Sequence, residues 1–506
     1  MKRRALVAAV AALCAGLAAT FAATARQSAL VDPGTDARPD GCGRDYIQQT
    51  QRNIPTWVYV GDRNAPATGP APPARRLEGV VDSRYERDLA VHPTPEDLPT
   101  IHRSYDVNLN VLPDRPYRRL MGGASAAKSG NFAGRGESTG RVHVEREQAS
   151  TPPFVWPDTG DRVTVVGAWI WDCGHWTPGG ERTEIHPFRA LWVERNRGAP
   201  APASARGESE GDLFLSNDKT YAGVVADCAH RAKGVVLAFQ GCLAVEPGQW
   251  DVSGTYRFRL RVPPRPAPGA RLRVRVVNAG SSAGAARARA RVRGNGVDVN
   301  LVVPRQPGKR VVVAQRVLAR WSGAGVAAPV NVRVRFERLL VRRGMDPGCP
   351  GGRPTCGSKE TTHGEQISAP PGEWNVYVDA AGVWKTWGRG LLRARDGQVF
   401  RGGPTFDLRL APDRPWRVFV FTRECDFGLL GNADGPTHAL APCPTSKEFG
   451  TFDGDDVPGI AVARFASPAA SLGSHRLRPR RQGSSCPAVN RLGCYEVAFL
   501  VERVGV

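Results

Sequence analysis

Two neighbouring segments hold the densest group of side chains able to do chemistry: GDRVTVVGAWIWDCGHW, ending at Trp176, and TEIHPFRALWVER, opening at Thr183. Asp172, Cys173, His175, Glu184 and His186 collect where the two adjoin. In a strand, Glu184 and His186 project to one face, because side chains alternate with a period of two. Two imidazoles with one or two carboxylates make a feasible site for zinc or another divalent ion, and a spare carboxylate could act as base toward a bound water. The same residues also suit a hydrogen-bonded polar network that locks the strand ends, or a metal-free ligand or acid–base site. The spacing matches no zinc signature, and HExxH is absent.

Three further groups carry recognition chemistry. Trp156, Trp169, Trp171, Trp176 and Trp192 lie near the polar cluster. Trp169, Trp171 and Trp176 are candidates for stacking a sugar or base, against the plainer role of core residues. Arg271, Arg273 and Arg275 alternate along one segment, and Arg287, Arg289, Arg291 and Arg293 along another. Each row lines one strand face and suits a polyanion, or is a solvated face whose cations discourage edge pairing. Asp453, Asp455 and Asp456 gather oxygen donors on one loop, with Asp426 further upstream. Such clusters suit calcium, and Asp is also an ordinary turn residue. No phosphate loop or recognisable Ser-His-Asp spacing occurs, which lowers the expectation of an enzyme.

The elements that must position these groups are strands. Alternating apolar patterns predict strands over 77–86, 105–113, 141–147, 162–172 and 183–195. Five antiparallel strands in so short a stretch suit a small closed barrel of the OB type, a fold whose faces bind oligonucleotides and oligosaccharides. Strands at 234–239, 254–262, 270–277, 286–293, 297–303 and 310–320 predict a central β-sandwich, with Asn295-Gly296 as a hairpin signal. A third β unit begins near Val330, with an Ala-Ala-Gly turn at 380–382. The predicted class is all-β: an OB-like five-stranded barrel over 77–196, then β-sandwiches over 207–328 and 329–506. Pro/Ala/Gly-rich connectors at 64–76 and 197–206 separate these units.

The order DVNLNVLPDRPYRRLM, GRVHVERE, GDRVTVVGAWIWDCGH, TEIHP resembles an uncharacterised bacterial OB-like domain whose pattern includes D-x-x-H followed by E-I-H-P. The resemblance covers about 77–195. It implies a barrel and a shared polar cluster at Asp172, His175, Glu184 and His186, and carries no activity with it. The chain departs from that pattern at Asn108, where several members carry His, and in having Cys173. The last part weakly resembles calcium-dependent, lipid-binding β-sandwiches. That likeness implies calcium ligation by Asp453, Asp455 and Asp456, with Asp426 from the preceding strand, although the expected partner loop offers only Asp346.

Compartment is read from the first 25 residues. Lys2, Arg3 and Arg4 precede an apolar Ala-rich run, and Ala23-Thr24-Ala25 fits a cleavage site. The expected product is secreted or extracytoplasmic, with residues 26–76 as an extended lead-in. No later segment has the ~18 apolar residues needed for a membrane span. Eleven cysteines include Cys14 in the leader. The rest fall into neighbouring pairs that an oxidising compartment would join: Cys228 with Cys242, Cys349 with Cys356, Cys425 with Cys443, Cys486 with Cys494, and Cys42 with Cys173. The net charge of +21 comes mostly from arginine. It reflects either a GC-rich coding bias or an anionic partner.

These observations support three functional classes. The leading expectation is a secreted or envelope-associated, non-catalytic binding protein for glycan or another anionic polymer. The second is a metal-dependent hydrolase using Asp172, His175, Glu184 and His186. The third is single-stranded nucleic-acid binding by the barrel, against which export argues.

Overall fold

The structure is a computed structural model. It describes residues 57–59, 74–82, 92–94, 106–121, 131, 140–146, 151–177, 180–195, 208–217, 251–309, 311–323, 326, 328–342, 372–388, 391–424, 459–479 and 494–505. Of the strands, β1 (Trp57–Tyr59), β2 (Arg75–Val81), β3 (His92–Thr94), β4 (Asp106–Pro113), β5 (Val142–Arg146), β6 (Arg162–Thr177) and β7 (Gly180–Glu194) build the first unit. The central unit contains β8 (Glu208–Ser216), β9 (Gly254–Arg261), β10 (Arg271–Asn278), β11 (Arg289–Arg293), β12 (Gly296–Val303) and β13 (Val312–Ser322). The last contains β14 (Val330–Val341), β15 (Gly372–Ala380), β16 (Val383–Thr386), β17 (Leu392–Ala394), β18 (Val399–Arg401), β19 (Thr405–Leu410), β20 (Trp416–Glu424), β21 (Gly459–Phe465), β22 (Gly473–Leu477) and β23 (Tyr495–Arg503). The chain is mostly β. No helix among the described residues is long and apolar enough to cross a membrane.

A closed, five-stranded mixed barrel stands where the alternation predicted one. Its neighbours run β6-β2-β4-β5-β7, and β7 returns to β6. Every pairing is antiparallel except β5 with β7, which is parallel. Alternate residues explain the closure. Val107, Leu109, Val111, Val142, Val144, Val163, Val165 and Ile185 are buried in one core, with Trp169 among them. Each such aliphatic side chain contributes roughly 1.5–3 kcal/mol on leaving water.

The central unit does not stand apart from the barrel, as the sequence had suggested. β7 pairs with β6 along its length, but its other edge serves two partners. Glu184 and Ile185 meet β5, while Ala190–Glu194 meet β8. The sheet then continues through β13 to β10. A three-stranded sheet, β11-β12-β9, covers this extension. The core between them includes Ala168, Ile170, Ala190 and Trp192 from the outside of the barrel, and Phe258, Leu260, Val297 and Val299 from the cover. Strands β6 and β7 thus bury both faces, which requires near-continuous apolar runs. Gly167 marks the change of partner. A Cβ there would lie 2.6 Å from the Pro187 carbonyl oxygen and 2.7 Å from Phe188 Cα.

The last unit is a sandwich of two five-stranded sheets, one centred on β14 and β23, the other on β15 and β20. β14 is a single strand with a register shift between Phe336 and Arg338. The predicted turns form, with Gly294-Asn295 between β11 and β12 and Ala381-Gly382 between β15 and β16. The first lies one residue earlier than the Asn-Gly signal implied. The outer face of β15 and β20 brings Tyr377, Phe419 and Phe421 into the barrel-side core, where Trp156 meets Phe421 edge-on at 5.4 Å. Buried ion pairs join the units. Asp212 accepts from Arg195 at 2.6 Å and Arg316 at 3.1 Å, while Glu210 binds both Arg316 and Arg414. Cys494 is disulfide-bonded. Each expected cysteine pair has at least one member outside the described residues.

Candidate functional sites

Three adjacent barrel strands present polar residues on the face opposite the apolar core. In β4, Asn108 and Asn110 alternate with Val107, Leu109 and Val111. In β5, His143 and Glu145 alternate with Val142 and Val144. In β7, Glu184 and His186 flank Ile185. Register aligns the three pairs. Asn108 faces Glu145, Asn110 faces His143, and His143 faces Glu184. An outward face of a small barrel is ordinarily wet, yet these six residues are buried, the four titratable ones exposing 4 % of their surface or less.

The hydrogen bonds are specific. His143 Nδ1 lies 2.9 Å from Asn110 Oδ1, and its Nε2 lies 3.0 Å from Asn108 Oδ1 and 3.3 Å from Glu145 Oε2. His186 Nδ1 lies 3.5 Å from Glu184 Oε2 and 3.8 Å from Glu145 Oε2. Glu145 therefore stands between the two imidazoles. A buried carboxylate needs such partners, because desolvation without them costs several kcal/mol. The residue types and spacing form a buried His/Glu cluster compatible with a metal ion.

The expected site shares only half its members with this cluster. Glu184 and His186 enter it. Asp172 and His175 lie further along β6, where Asp172 pairs with Arg182, two positions beyond the Ile170–Glu184 pair. Their side chains lie outside the described residues, as do those of Cys173, Trp171 and Trp176. Sequence reasoning missed His143, Glu145 and Asn110, and marked Asn108 only as a departure from the resembled pattern. The signal was present in VHVE and VNLNV, where polar residues alternate with valine and leucine. It reads as a solvated barrel face unless the parallel β5–β7 pairing is known.

Trp169 is buried in the barrel core and donates through Nε1 to the Leu120 carbonyl at 3.1 Å. It is thus a packed residue with its polar edge satisfied. Arg271, Arg273 and Arg275 are exposed along β10, while Leu272, Val274 and Val276 turn to the core. Arg287, Arg289, Arg291 and Arg293 are exposed at and along β11. The two rows leave from different sheets. Asp426, Asp453, Asp455 and Asp456, the expected calcium ligands, lie outside the described residues.

A second polar region was not foreseen. A cleft of about 700 Å³ opens between the barrel and the β9–β12 cover. Its walls include Arg76, Arg257, Arg259 and Arg261, with Glu78 and Glu194. Burial pushes the Glu194 carboxyl up, against the opposing pull of Arg261, Arg162 and Arg259. Burial also acts to raise Glu78, but Arg76, Tyr117 and Arg162 outweigh it and hold that carboxyl below its usual range. Trp192 and Phe258 form the cleft's aromatic part, stacked at 5.3 Å.

No protein-family model matches the sequence, and no curated protein shows detectable similarity to it.

Proposed function

We propose that this chain is an extracytoplasmic, non-catalytic binding protein for an acidic glycan or another anionic polymer. We take its barrel as OB-type, because the spatial order of the five barrel strands, numbered along the chain, is 1-2-3-5-4 with the third and fifth parallel. The observation that carries the binding function is the state of the exposed arginines. Among the described residues, Arg271, Arg275, Arg289 and Arg291 make no ion pair, and Arg273 lies across from Arg320 rather than from an acid. Meanwhile Asp161, Glu210 and Asp212 are consumed by buried guanidiniums. Surplus cations at the surface attract polyanions through counterion release. The arginine-lined cleft adds a concave polar surface. Burial of the His/Glu cluster favours a structural role for it, since catalysis needs an open position for substrate.

Heparin chromatography with a salt gradient tests this function. The intact protein is expected to elute at higher salt from heparin than from a sulfonate resin. Arg271, Arg273 and Arg275 changed together to Ser should lower the heparin elution salt more than Arg393, Arg395 and Arg401 changed to Ser, which remove equal charge from other exposed positions. Equal losses would mean that net charge alone acts, and the proposal would fail.

A further inference from the structure

We infer that His143, Glu145, Glu184 and His186 form a closed four-ligand site for a divalent transition metal of the zinc type. This inference is independent of polyanion binding. The ligand atoms form a connected chain: His143 Nε2 to Glu145 Oε2 at 3.3 Å, Glu145 Oε2 to His186 Nδ1 at 3.8 Å, and His186 Nδ1 to Glu184 Oε2 at 3.5 Å. Zinc bonds of about 2.0–2.2 Å in a tetrahedron place neighbouring ligand atoms about 3.3–3.6 Å apart. Two of the three links fall in that range and the third needs only a small closure. Ligand atoms of His143, Glu145 and Glu184 also lie within 4.8 Å of one another, so these three share a centre, which His186 joins through its contacts with Glu145 and Glu184.

The surroundings match a metal site in two further respects. Asn110 Oδ1, at 2.9 Å, is placed to accept a proton from His143 Nδ1. That contact fixes the tautomer that leaves Nε2 free to ligate, the usual task of an outer-shell partner. Asn108 Oδ1 sits 3.0 Å from the same Nε2, on the ion's side. Charge also balances, since a dication offsets two carboxylates in a place where water is scarce. Because all four ligands are buried, the ion has a structural task. It would pin β5 to β7, the parallel seam that closes the barrel. A preformed site whose ligands come from two strands couples ion binding to folding.

The test is metal analysis and thermal melting of the full exported chain. The protein purified with zinc present should keep about one equivalent through dialysis. Chelator should lower its melting midpoint, and added zinc should restore it. Asn110→Ala should fold and bind zinc roughly 10–100-fold more weakly. Glu184→Gln and His186→Ala should lose the ion, whereas Asp172→Ala and His175→Ala should keep it. Cobalt(II) soaked into the chelated protein should give the intense visible absorption of a four-coordinate site. Wild-type protein that holds no zinc and melts identically with chelator and with zinc would overturn the inference, whether or not the ligand variants fold. So would zinc retention by His186→Ala, or zinc loss only on changing Asp172 or His175.

Discussion

Glu184 stands directly across from His143 in the parallel pairing of β5 with β7. That single register relation places the E-x-H pair of one strand beside the H-x-E pair of another, in opposite order. Each carboxylate then meets an imidazole from the neighbouring strand or its own. Antiparallel pairing at this seam would break the alignment, and a one-residue slip would turn one pair into the apolar core.

The buried ion pairs give a first prediction. Arg316 contacts Glu210 and lies 3.1 Å from Asp212, while its Nη2 also donates to the Ala381 carbonyl at 3.2 Å. Burial opposes its charge, but the carboxylates outweigh that and hold Arg316 protonated. Arg316→Met should destabilise the fold by about 1.5–3 kcal/mol, because it removes charged hydrogen bonds from two buried acids that keep only Arg414 and Arg195. Urea denaturation checks this. A loss below ~1 kcal/mol, the size of an exposed pair, would show that water reaches the network.

A second prediction concerns close packing at Gly211. A Cβ there would lie 2.1 Å from Trp192 Cη2. Trp192 is fixed from its other side by Phe258, stacked at 5.3 Å with an interplanar angle of 17°. Gly211→Ala should therefore cost about 1–3 kcal/mol, as overpacking does. Phe258→Ala should cost roughly 3–5 kcal/mol by leaving a void. In the double variant the ring gains room to move, so the two losses should fall short of additive. Strict additivity in denaturation would contradict the contact.

Acid stability supplies a third. Burial acts to raise the Asp158 carboxyl, but Arg417 and Arg464 overcome it and leave that group far below its ordinary range. A depressed carboxylate stabilises the fold above its unfolded pKa of about 3.9, and that contribution is lost as pH falls toward the folded value. Wild type should thus lose melting midpoint steeply below about pH 4, and Asp158→Asn should have a flatter acid limb. Parallel limbs would reject the assignment.

Asp379 should show the opposite sign. Burial pushes its carboxyl up, and Arg417 and Arg316 only partly offset this. A raised carboxyl contributes most below its unfolded pKa and loses that contribution as pH rises through its folded value. Asp379→Asn should therefore compare better with wild type at neutral pH than at pH 4, as read from paired melts. The Asp379 Oδ1 bond from the Gly382 amide, 2.8 Å long, is one the Asn carbonyl can still accept.

Local periodicity in the sequence determined the class of structure. Valine alternating with polar residues at 107–111 and 142–146 marked these segments as strands, and turn chemistry at Asn295 and at 380–382 set two hairpins nearly to the residue. These features depend on neighbours along the chain, so composition and spacing carry them. The chain order of the barrel strands was legible for the same reason. Tertiary structure alone decided which strands became neighbours. The seam between β5 and β7 joins residues some forty positions apart, and the division of one β7 edge between β5 and β8 has no local signature. His143 and Glu145 consequently looked like an ordinary wet face, while in space they complete the pair begun by Glu184 and His186. The chemistry of the site is a property of register between distant strands, and register is fixed only when the whole apolar core closes.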